Sequence, residues 1–493
     1  MELSDAKRMK AADQAAIAER GIDSLFLMEN AAGFICRAAE DYLGENRTAA
    51  VFCGPGNNGG DGVAAARMLY EQGVAVRTYL VGRREKMTAD TRAMEEKLNA
   101  AGGVLLDFRS EDHEIAAWTA RAGVIVDAIF GVGLSRPLAG DALAAVQMIN
   151  SSRAPVVSAD IASGVSADSG CVLGEAVRAD CTVTFSRAKP GHFVEPGCVY
   201  CGELRVADIG IPRDLVAASG CGVFAIHGED LRLPPRKRLS HKGDHGKVLI
   251  LGGSAPYTGA PTLCARAAVR AGAGLVYLGV PTDIYEITAV KNDEAMPFPQ
   301  TETSVRERLT QCGVCVIGPG MGRSERTLSL VREVVGGFEG PVVADADALW
   351  ALSQDLSLLD AAPAAVLTPH EGEFARLLGR PVGDRLSDAL GFAREHGCAL
   401  VLKGHRTICA FPDGSSYVID AGNPGMAKGG SGDVLAGVIG ALLGQLPSRR
   451  AVVTACWLHA RAGDLAAGRF GEYGMKAGDI IDQLPRAEME IHG

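Results

Sequence analysis

A carboxylate inside a glycine-rich turn near the C-terminus is the arrangement in this sequence best suited to chemistry. The turn spans residues 423–437, places three glycines just before Asp433, and runs into an apolar stretch, residues 434–446, that we predict to be a buried helix. Glycines let backbone amides converge on an anion, and the helix start adds a positive dipole end, which predicts a phosphate site. Asp433 could cap that helix, or it could take a proton from a hydroxyl while the amides hold the developing charge. Both interpretations stay open on spacing alone, and the preceding Lys428 favours the second.

A second polar loop, residues 54–62, follows a predicted strand at residues 48–53. It satisfies the pattern Gly-x-Gly-x-x-Gly of dinucleotide-binding folds, but the next strand ends in Gly-Arg-Arg instead of the acidic residue that would bind a ribose. Asn57, Asn58 and Asp61 fill the loop, and a carboxylate is unfavourable beside a pyrophosphate. Such oxygens suit a cation or a sugar and amide ligand better, which disfavours an ordinary NADP-linked dehydrogenase.

Further polar side chains stand where predicted strands of the N-terminal half end. Asp127 ends one strand and leads into an amide-rich loop, residues 131–137, and Asp160 ends another. Ligands of open α/β sheets bind at the carboxyl ends of the strands, so we expect these groups to lie together. The alternative is that both aspartates are helix caps. Lys189 is a second candidate for proton transfer, unless it is a surface-loop lysine.

The C-terminal half shows the same placement of polar groups after predicted strands. Residues 318–322 are glycine-rich, His370 follows another strand, and residues 403–407 bring two cations and a hydroxyl. Cations, glycines and amides at one sheet edge predict a pocket for nucleotide phosphates. His370 alone could be a ligand contact or a helix-start residue. The P-loop pattern is absent from the sequence, so this is not a P-loop enzyme.

The elements that position these groups alternate between strand and helix. A chain of 493 residues with 62 glycines is too long for one core, and we predict two α/β domains joined near residue 220, each with a largely parallel sheet. Two helices come first, residues 4–20 and 24–43, with Ser4 and Ser24 as caps. The predicted strands are 48–53, 74–81, 103–107, 123–127, 155–159 and 181–185, then 247–253, 275–280, 314–318, 341–345, 364–368 and 399–403. Three helical segments close the chain from residue 434 onward.

Composition excludes several classes of protein. A net charge of -10 disfavours a nucleic-acid binder, the N-terminus lacks a secretory signal, and the longest apolar runs are too short for a membrane span. The 13 cysteines are typical of buried thiols in a reducing compartment, so we expect a soluble, cytoplasmic protein. Two pairs have Cys-x-x-Cys spacing, Cys198 with Cys201 and Cys312 with Cys315, but in strands this spacing points the thiols to opposite faces and disfavours zinc.

The N-terminal motifs together resemble the NAD(P)H-hydrate epimerase family over residues 1–215. The resemblance is carried by Leu-Met-Glu-Asn-Ala at 27–31, Gly-Asn-Asn-Gly-Gly-Asp-Gly at 56–62, Asp127 with Gly-Val-Gly-Leu at 131–134, residues 158–164, and Lys-Pro-Gly at 189–191. It implies a Rossmann-like, three-layer domain over residues 1–218 and a potassium ion held by Asn58, Asp127 and Ser163. It implies contacts to the hydrated nicotinamide nucleotide from Asn57, Asn58, Gly59, Gly60, Asp61, Gly131, Val132, Gly133, Leu134, Ser135, Arg136, Pro137 and Asp160. Asp160, with Lys189, would move the protons that let the hydroxyl-bearing ring carbon lose and regain its configuration.

The C-terminal motifs resemble the ribokinase-like superfamily and, within it, the ADP/ATP-dependent NAD(P)H-hydrate dehydratases. The resemblance covers residues 225–493 and is carried by Pro-His-x-Gly-Glu at 369–373, Lys-Gly-x-x-Thr at 403–407 and Ala-Lys-Gly-Gly-Ser-Gly-Asp at 427–433. It implies that Ala260, Gly320, His370 and Asp433 contact the hydrate, and that Lys403, Gly404, His405, Arg406, Thr407 and Gly432 contact the nucleotide.

The two resemblances imply one repair reaction on hydrated NADH and NADPH. The epimerase interconverts the R and S forms; the dehydratase phosphorylates the hydroxyl of the S form with Asp433 as base, and loss of phosphate restores the dihydropyridine. ADP with magnesium is the expected donor, with ATP as the alternative, and a homo-oligomer is expected. The rival interpretations are a ribokinase-like small-molecule kinase with an appended nucleotide-binding module and a non-enzymatic N-terminal scaffold.

Overall fold

The computed structural model describes residues 1–362 and 364–492, which form two compact units. Residues 2–223 form the N-terminal unit, and Met1 together with the chain from Phe224 onward forms the C-terminal unit.

The N-terminal unit is built on a seven-stranded, entirely parallel sheet in the order β3-β2-β1-β4-β5-β6-β7. Its strands are β1 Thr48–Cys53, β2 Ala75–Leu80, β3 Leu105–Asp107, β4 Val124–Ala128, β5 Val156–Ala159, β6 Cys181–Phe185 and β7 Glu203–Ala207. The order reverses between β1 and β4, so the loops that follow these two strands diverge and leave a crevice at the carboxyl edge. The seventh strand was not predicted from the sequence.

Seven helices of the described chain cover this sheet. They are α1 Ala6–Ala18, α2 Ser24–Tyr42, α3 Asn57–Glu71, α4 Ala89–Ala100, α5 His113–Arg121, α6 Asp141–Ser151 and α7 Arg213–Ala218. One hydrophobic cluster packs α1–α4 against one face of the sheet, and a second packs α5 and α6 against the other. The predicted α/β class is confirmed, and the layers are helix, sheet and helix.

The predicted caps of the first two helices are wrong by one residue. Asp5 caps α1, where its carboxylate accepts from the Arg8 amide at 2.7 Å, and Asp23 caps α2. A carboxylate is as good an acceptor for the first amides as a serine hydroxyl, and in each case the aspartate stands next to the predicted serine.

The C-terminal unit contains a ten-stranded sheet in the order β11-β10-β9-β12-β13-β14-β15-β16-β17-β8. Its strands are β8 Val223–Ile226, β9 Lys247–Leu251, β10 Leu275–Val280, β11 Met296–Pro299, β12 Val314–Ile317, β13 Val342–Ala344, β14 Ala365–Leu367, β15 Ala399–Leu402, β16 Ile408–Ala410 and β17 Ser416–Ile419. Strands β9 to β15 pair in parallel, whereas β16 and β17 form an antiparallel extension. The order reverses between β9 and β12.

The helices of this unit are α8 Gly259–Arg270, α9 Tyr285–Val290, α10 Glu302–Gln311, α11 Glu325–Gly337, α12 Asp347–Leu352, α13 Glu371–Leu378, α14 Arg385–Glu395, α15 Ser431–Leu443, α16 Ser448–Gly474 and α17 Ala477–Glu490. The three predicted closing helices correspond to α15, α16 and α17. Helix α15 begins at Ser431, earlier than predicted, and is buried over most of its length against α8 and the central strands.

Neither Cys-x-x-Cys pair lies within one strand, so the prediction that strand geometry points their thiols to opposite faces is wrong for both. Cys198 lies in a short 3-10 turn, Gly197–Tyr200, that ends just before Cys201, whereas Cys312 caps the C-terminus of α10 and Cys315 lies in β12. Across residues 1–362 and 364–492, no three His, Cys, Asp or Glu side chains are grouped as metal ligands. In the same residues, no helix combines the length and hydrophobicity needed to cross a bilayer.

Candidate active sites

The N-terminal site is built where four loops leave the carboxyl edge of the seven-stranded sheet, after β1, β4, β5 and β6. The loop after β1 turns very tightly into α3. A Cβ on Gly59 would lie 1.7 Å from the carbonyl oxygen of Gly54, so only glycine fits there. In contrast, a Cβ on Gly56 would meet no atom within 4 Å.

Asp160 and Lys189 form a buried ion pair at this edge. The Lys189 Nζ donates to Asp160 Oδ1 at 2.5 Å, to Thr184 Oγ1 at 2.8 Å and to the carbonyl of Phe185 at 3.3 Å. Burial alone would raise the pKa of Asp160, but the ammonium of Lys189 outweighs it and holds this pKa below its usual value. Asp160 also has a φ of 65°, a conformation that side-chain-bearing residues rarely adopt and that occurs preferentially at functional sites.

His192 fixes the backbone around this pair. Its Nδ1 accepts from the Lys189 amide at 3.0 Å, and its Nε2 lies 2.9 Å from the Asp160 carbonyl oxygen. Burial and the nearby Lys189 lower the pKa of His192 to about 4, so the ring is neutral near pH 7. His192 therefore joins the two segments that carry the ion pair.

Asp127, one of the residues expected to hold potassium, is hydrogen-bonded to another of them, Ser163. Its carboxylate is fully buried and accepts from the hydroxyls of Ser163 and Ser158 at 2.6 and 2.8 Å and from the Ser163 amide at 2.9 Å. Among the described residues, no salt bridge involves Asp127, so its charge is held only by neutral donors. Asn58 lies beside Gly131 and Asp160, since a Cβ on Gly131 would be 3.2 Å from both Asn58 Cγ and Asp160 Oδ2. A buried carboxylate with hydroxyls and without a cationic side chain suits a monovalent cation.

A cavity of about 130 Å³ opens beside the ion pair. Of the predicted residues, Asn57, Asp61, Val132, Asp160 and Lys189 line it. The remaining predicted members of the loops 57–61 and 131–137 lie outside its lining. Asp13, which the sequence reading did not single out, lines the cavity from α1. A carboxylate on the apolar side of that helix, next to Ala12 and Ala16, is the sequence feature that could have identified Asp13 as a site residue.

The C-terminal site is centred on Lys403 at the end of β15. Its Nζ donates to Asp345 Oδ1 at 2.8 Å, and it would lie 3.3 Å from a Cβ on Gly432. Asp345 is buried, follows β13, and also accepts from the Thr368 hydroxyl at 2.8 Å. Asp345 was not predicted as a site residue, although Asp345 ends a predicted strand just as Asp127 and Asp160 do.

Asp433 is the third residue of α15 and does not cap it. Gly430, with a φ of 97°, occupies the cap position, and no side chain there bonds to the helix. Burial, followed by the negative charge of Asp345, raises the pKa of Asp433 to about 7, against an opposing effect of Lys403. The capping interpretation is therefore wrong, and Asp433 has the proton affinity of a base that works near neutrality.

His370 is the helix-start residue that the sequence allowed, and it also lies at the cavity. It caps α13, where its Nδ1 accepts from the amides of Gly372 and Glu373 at 3.1 and 3.3 Å. It also pairs through its backbone with Lys403 and lines the same cavity as Asp433.

That cavity has a volume of about 720 Å³. Seven predicted residues line it, namely His370, Lys403, Gly404, His405, Thr407, Gly432 and Asp433. The side chain of Arg406 does not, because its guanidinium pairs with Asp420. Ala260 and Gly320 are also outside the lining. They lie against each other after β9 and β12, where a Cβ on Gly320 would be 3.0 Å from Ala260 Cβ, at the point where the strand order reverses.

The glycine-rich turn is held from α16 and the residues after it. Asp464 accepts from the Asn423 amide side chain at 2.9 Å, and His459 Nε2 lies 2.9 Å from the Ser431 carbonyl oxygen. Lys428 donates to the carbonyls of Tyr473, at 2.8 Å, and of Met475. These contacts fix the amides of the turn, and Lys428 itself also lines the cavity.

Two family models match the chain. Residues 248–486 match a model described as NAD(P)H-hydrate dehydratase, and residues 24–191 match one described as YjeF-related protein N-terminus.

Similar proteins match along nearly the whole chain. A bifunctional NAD(P)H-hydrate repair enzyme of Moorella thermoacetica is 42% identical, covering 98% of this chain and 96% of its own length. Enzymes described in the same words from Thermofilum pendens and Escherichia coli are 38% and 37% identical, covering 99% and 94% of this chain and 96% and 88% of their own lengths. A solved ribokinase-like superfamily protein of Enterococcus faecalis V583 superimposes with a TM-score of 0.52 at 28% identity, over 55% of this chain and 97% of its own.

Proposed function

Because this chain belongs to the family of bifunctional NAD(P)H-hydrate repair enzymes, and is thus an isomerase and a lyase in one polypeptide, we propose how its two units divide the work. Residues 1–218 would interconvert the R and S forms of hydrated NADH and NADPH. Residues 225–493 would dehydrate the S form to NAD(P)H and convert ADP to AMP and phosphate.

Asp160 is the proton acceptor of the epimerase reaction in this proposal. Lys189 keeps it ionised, and its second oxygen stays available to the hydroxyl-bearing ring carbon. The loops 57–61 and 131–137 would bind the rest of the nucleotide. Potassium, held by Asn58, Asp127 and Ser163, would supply the positive charge that the buried Asp127 lacks.

Asp433 is the base of the dehydratase reaction. Water is a poor leaving group, so the hydroxyl of the S form is first phosphorylated. Asp433 would take the hydroxyl proton while the amides of the turn 429–432 and the Lys403 ammonium stabilise the transferring phosphoryl group. Phosphate then leaves with the electron pair of the ring C–O bond, and loss of a proton from the neighbouring ring carbon forms the C=C bond that restores the dihydropyridine. The observation that carries this assignment is the meeting of Asp433, Gly432, Lys403 and Asp345 at one cavity large enough for a nucleotide.

Magnesium is proposed to enter with the nucleotide. In nucleotide sites it is usually held by one or two carboxylates and the phosphates, and here Asp345 and Glu373 lie 2.8 and 3.9 Å from Lys403 Nζ. Its charge would offset that of the phosphates. The backbone and Thr407 would contact the phosphates, and the Arg406 side chain would have to leave Asp420 to do so.

Product analysis tests the dehydratase assignment. With the purified S form of hydrated NADH and ADP, we expect NADH, AMP and inorganic phosphate in equal amounts, measured by absorbance and ³¹P NMR. ATP in place of ADP tests the alternative donor. A released phosphorylated hydrate without NADH would instead identify a small-molecule kinase.

We also propose a homo-oligomer and a cytoplasmic location. The first follows from the family resemblance and the second from the 13 cysteines, of which ten are buried. Light scattering of the purified chain tests the oligomer, and a single-chain mass would contradict it.

A further inference from the structure

Asp13 faces the epimerase cavity from a different element than Asp160 and Lys189. It lies on α1, whereas Asp160 and Lys189 come from the sheet edge, and all three line the same cavity of about 130 Å³. The other titratable groups in that lining are Asp61, at the start of α3, and Asp90, at the start of α4. Lys189 is the one cation among the described residues that line it.

The hydrogen bonds of Lys189 make it a poor proton donor to a substrate. Its ammonium has three protons, and it donates to Asp160, Thr184 and the Phe185 carbonyl. Lys189 is 1% exposed, so giving a proton to the substrate would break a bond in this buried network. Asp160, kept ionised, can accept a proton. Inversion at a carbon that bears a hydroxyl needs a donor as well as an acceptor.

We propose that Asp13 is the second proton-transfer residue of the epimerase, in partnership with Asp160; the inference rests on the epimerase assignment proposed above. Protonated Asp13 gives its proton to the ring hydroxyl, the C–O bond breaks with its electron pair going to the departing water, and the ring nitrogen stabilises the resulting iminium cation. Water then adds to the opposite face of that carbon and gives a proton to Asp160. In the reverse epimerisation, Asp160 gives the proton and Asp13 accepts it. Proton exchange with solvent then restores the starting protonation of the two carboxyl groups.

The surroundings of the carboxyl groups suit this exchange. Burial raises the pKa of Asp13 to about 6, with Lys189 opposing and Asp160 adding to the effect. The pKa of Asp160 is below its usual value, so near pH 6 the pair shares one proton. Burial, with the negative charges of Asp160 and Asp13 adding to it, raises the pKa of Asp61 well above its usual range.

The test uses the full chain and each epimer of hydrated NADH, with ADP present. The dehydratase reaction then reports on the use of both epimers, since the S form is consumed directly and the R form only after epimerisation. We expect Asp13→Asn to reduce the rate with the R form by about 100-fold at little change in KM, the range typical of lost acid–base catalysis, and to leave the rate with the S form unchanged. Glu19→Gln, an exposed residue after the same helix, is the matched control.

A pH profile and a conservative variant separate catalysis from structure. With the R form, the wild-type rate should fall as pH rises through about 6, because the donor loses its proton, and Asp13→Asn should lack this limb. Asp13→Glu should regain about tenfold over Asp13→Asn, since it restores a carboxyl group. Asp13→Asn within about threefold of wild type, or Asp13→Glu no better than Asp13→Asn, would overturn the proposal. Failure of the wild type to use the R form would instead overturn the epimerase assignment.

Discussion

At the scale of single residues, the two proposed bases show how surroundings set the role of a carboxylate. Asp160 lies near the buried Lys189, and Asp433 lies near the half-buried Lys403. Lys189 touches Asp160 directly and lowers its pKa, whereas Lys403 is bonded to Asp345, whose negative charge adds to burial in raising the pKa of Asp433. The first is a base that is always ionised near pH 7, and the second titrates there.

This difference predicts the pH dependence of dehydration. Only ionised Asp433 can accept the hydroxyl proton, so kcat/KM for the S form should rise as pH increases and reach half its maximum near pH 7. Asp345→Asn removes a negative charge and frees Lys403 to act on Asp433. The rise of kcat/KM with pH should therefore occur at lower pH in this variant. Initial rates at saturating ADP measure it, with the exposed Asp293→Asn as control. A rise of kcat/KM at the same pH in Asp345→Asn as in the wild type would contradict the electrostatic account.

Lys189→Met should lower both the epimerisation rate and the stability of the N-terminal unit. The buried Asp160 would lose its counter-ion, so its pKa should rise and its base form be depleted at pH 7. We expect epimerisation to fall by about 100-fold and the unit to lose about 3–5 kcal/mol of unfolding free energy, as when one partner of a buried pair is removed. Denaturant titration and the rate with the R form measure the two effects. Full activity and stability would show that Lys189 is dispensable.

At the scale of elements, the regular strand–helix alternation was predictable and the short irregular parts were not. The strands found were apolar runs followed by a turn-forming residue, such as residues 48–53 before Gly54 and residues 275–280 before Pro281. The hairpin of β16 and β17 was missed because its strands have only 3 and 4 residues and adjoin charged turns. Asp13 was missed for another reason: helical periodicity shows which side of α1 is buried but not which cavity it faces.

Two neighbouring glycines test the geometry of the turn before α15. Gly430 has a φ of 97°, and a Cβ there would lie 2.7 Å from Leu263 Cδ1 and 2.9 Å from Ala477 Cβ. A Cβ on Gly429 would meet no atom within 4 Å. We expect Gly430→Ala to destabilise the C-terminal unit by about 1–2 kcal/mol or more from the backbone alone and to cut dehydration sharply. Gly429→Ala should retain stability and rate, and equal losses in both variants would refute the proposed turn.

At the scale of the whole molecule, each unit carries its own site at the carboxyl edge of its own sheet. The catalytic residues assigned to epimerisation all lie within residues 2–223, and those assigned to dehydration all lie after residue 224. The motifs made both sites predictable from sequence, because strand-end loops converge in parallel sheets. The supporting residues His192 and Asp464 could not be assigned from sequence, since their roles depend on contacts between distant segments, whereas the strand-end position of Asp345 was a usable signal.

The most direct test measures the recovery of the absorbance of NADH from each separated epimer of its hydrate. It compares the wild type, Asp160→Ala and Asp433→Ala, each with ADP, with ATP and without nucleotide. The account predicts that the wild type restores both epimers with one nucleotide, that Asp160→Ala restores only the S form, and that Asp433→Ala restores neither. Recovery of both epimers by Asp160→Ala, or any nucleotide-dependent recovery by Asp433→Ala, would contradict the assignment of these carboxylates.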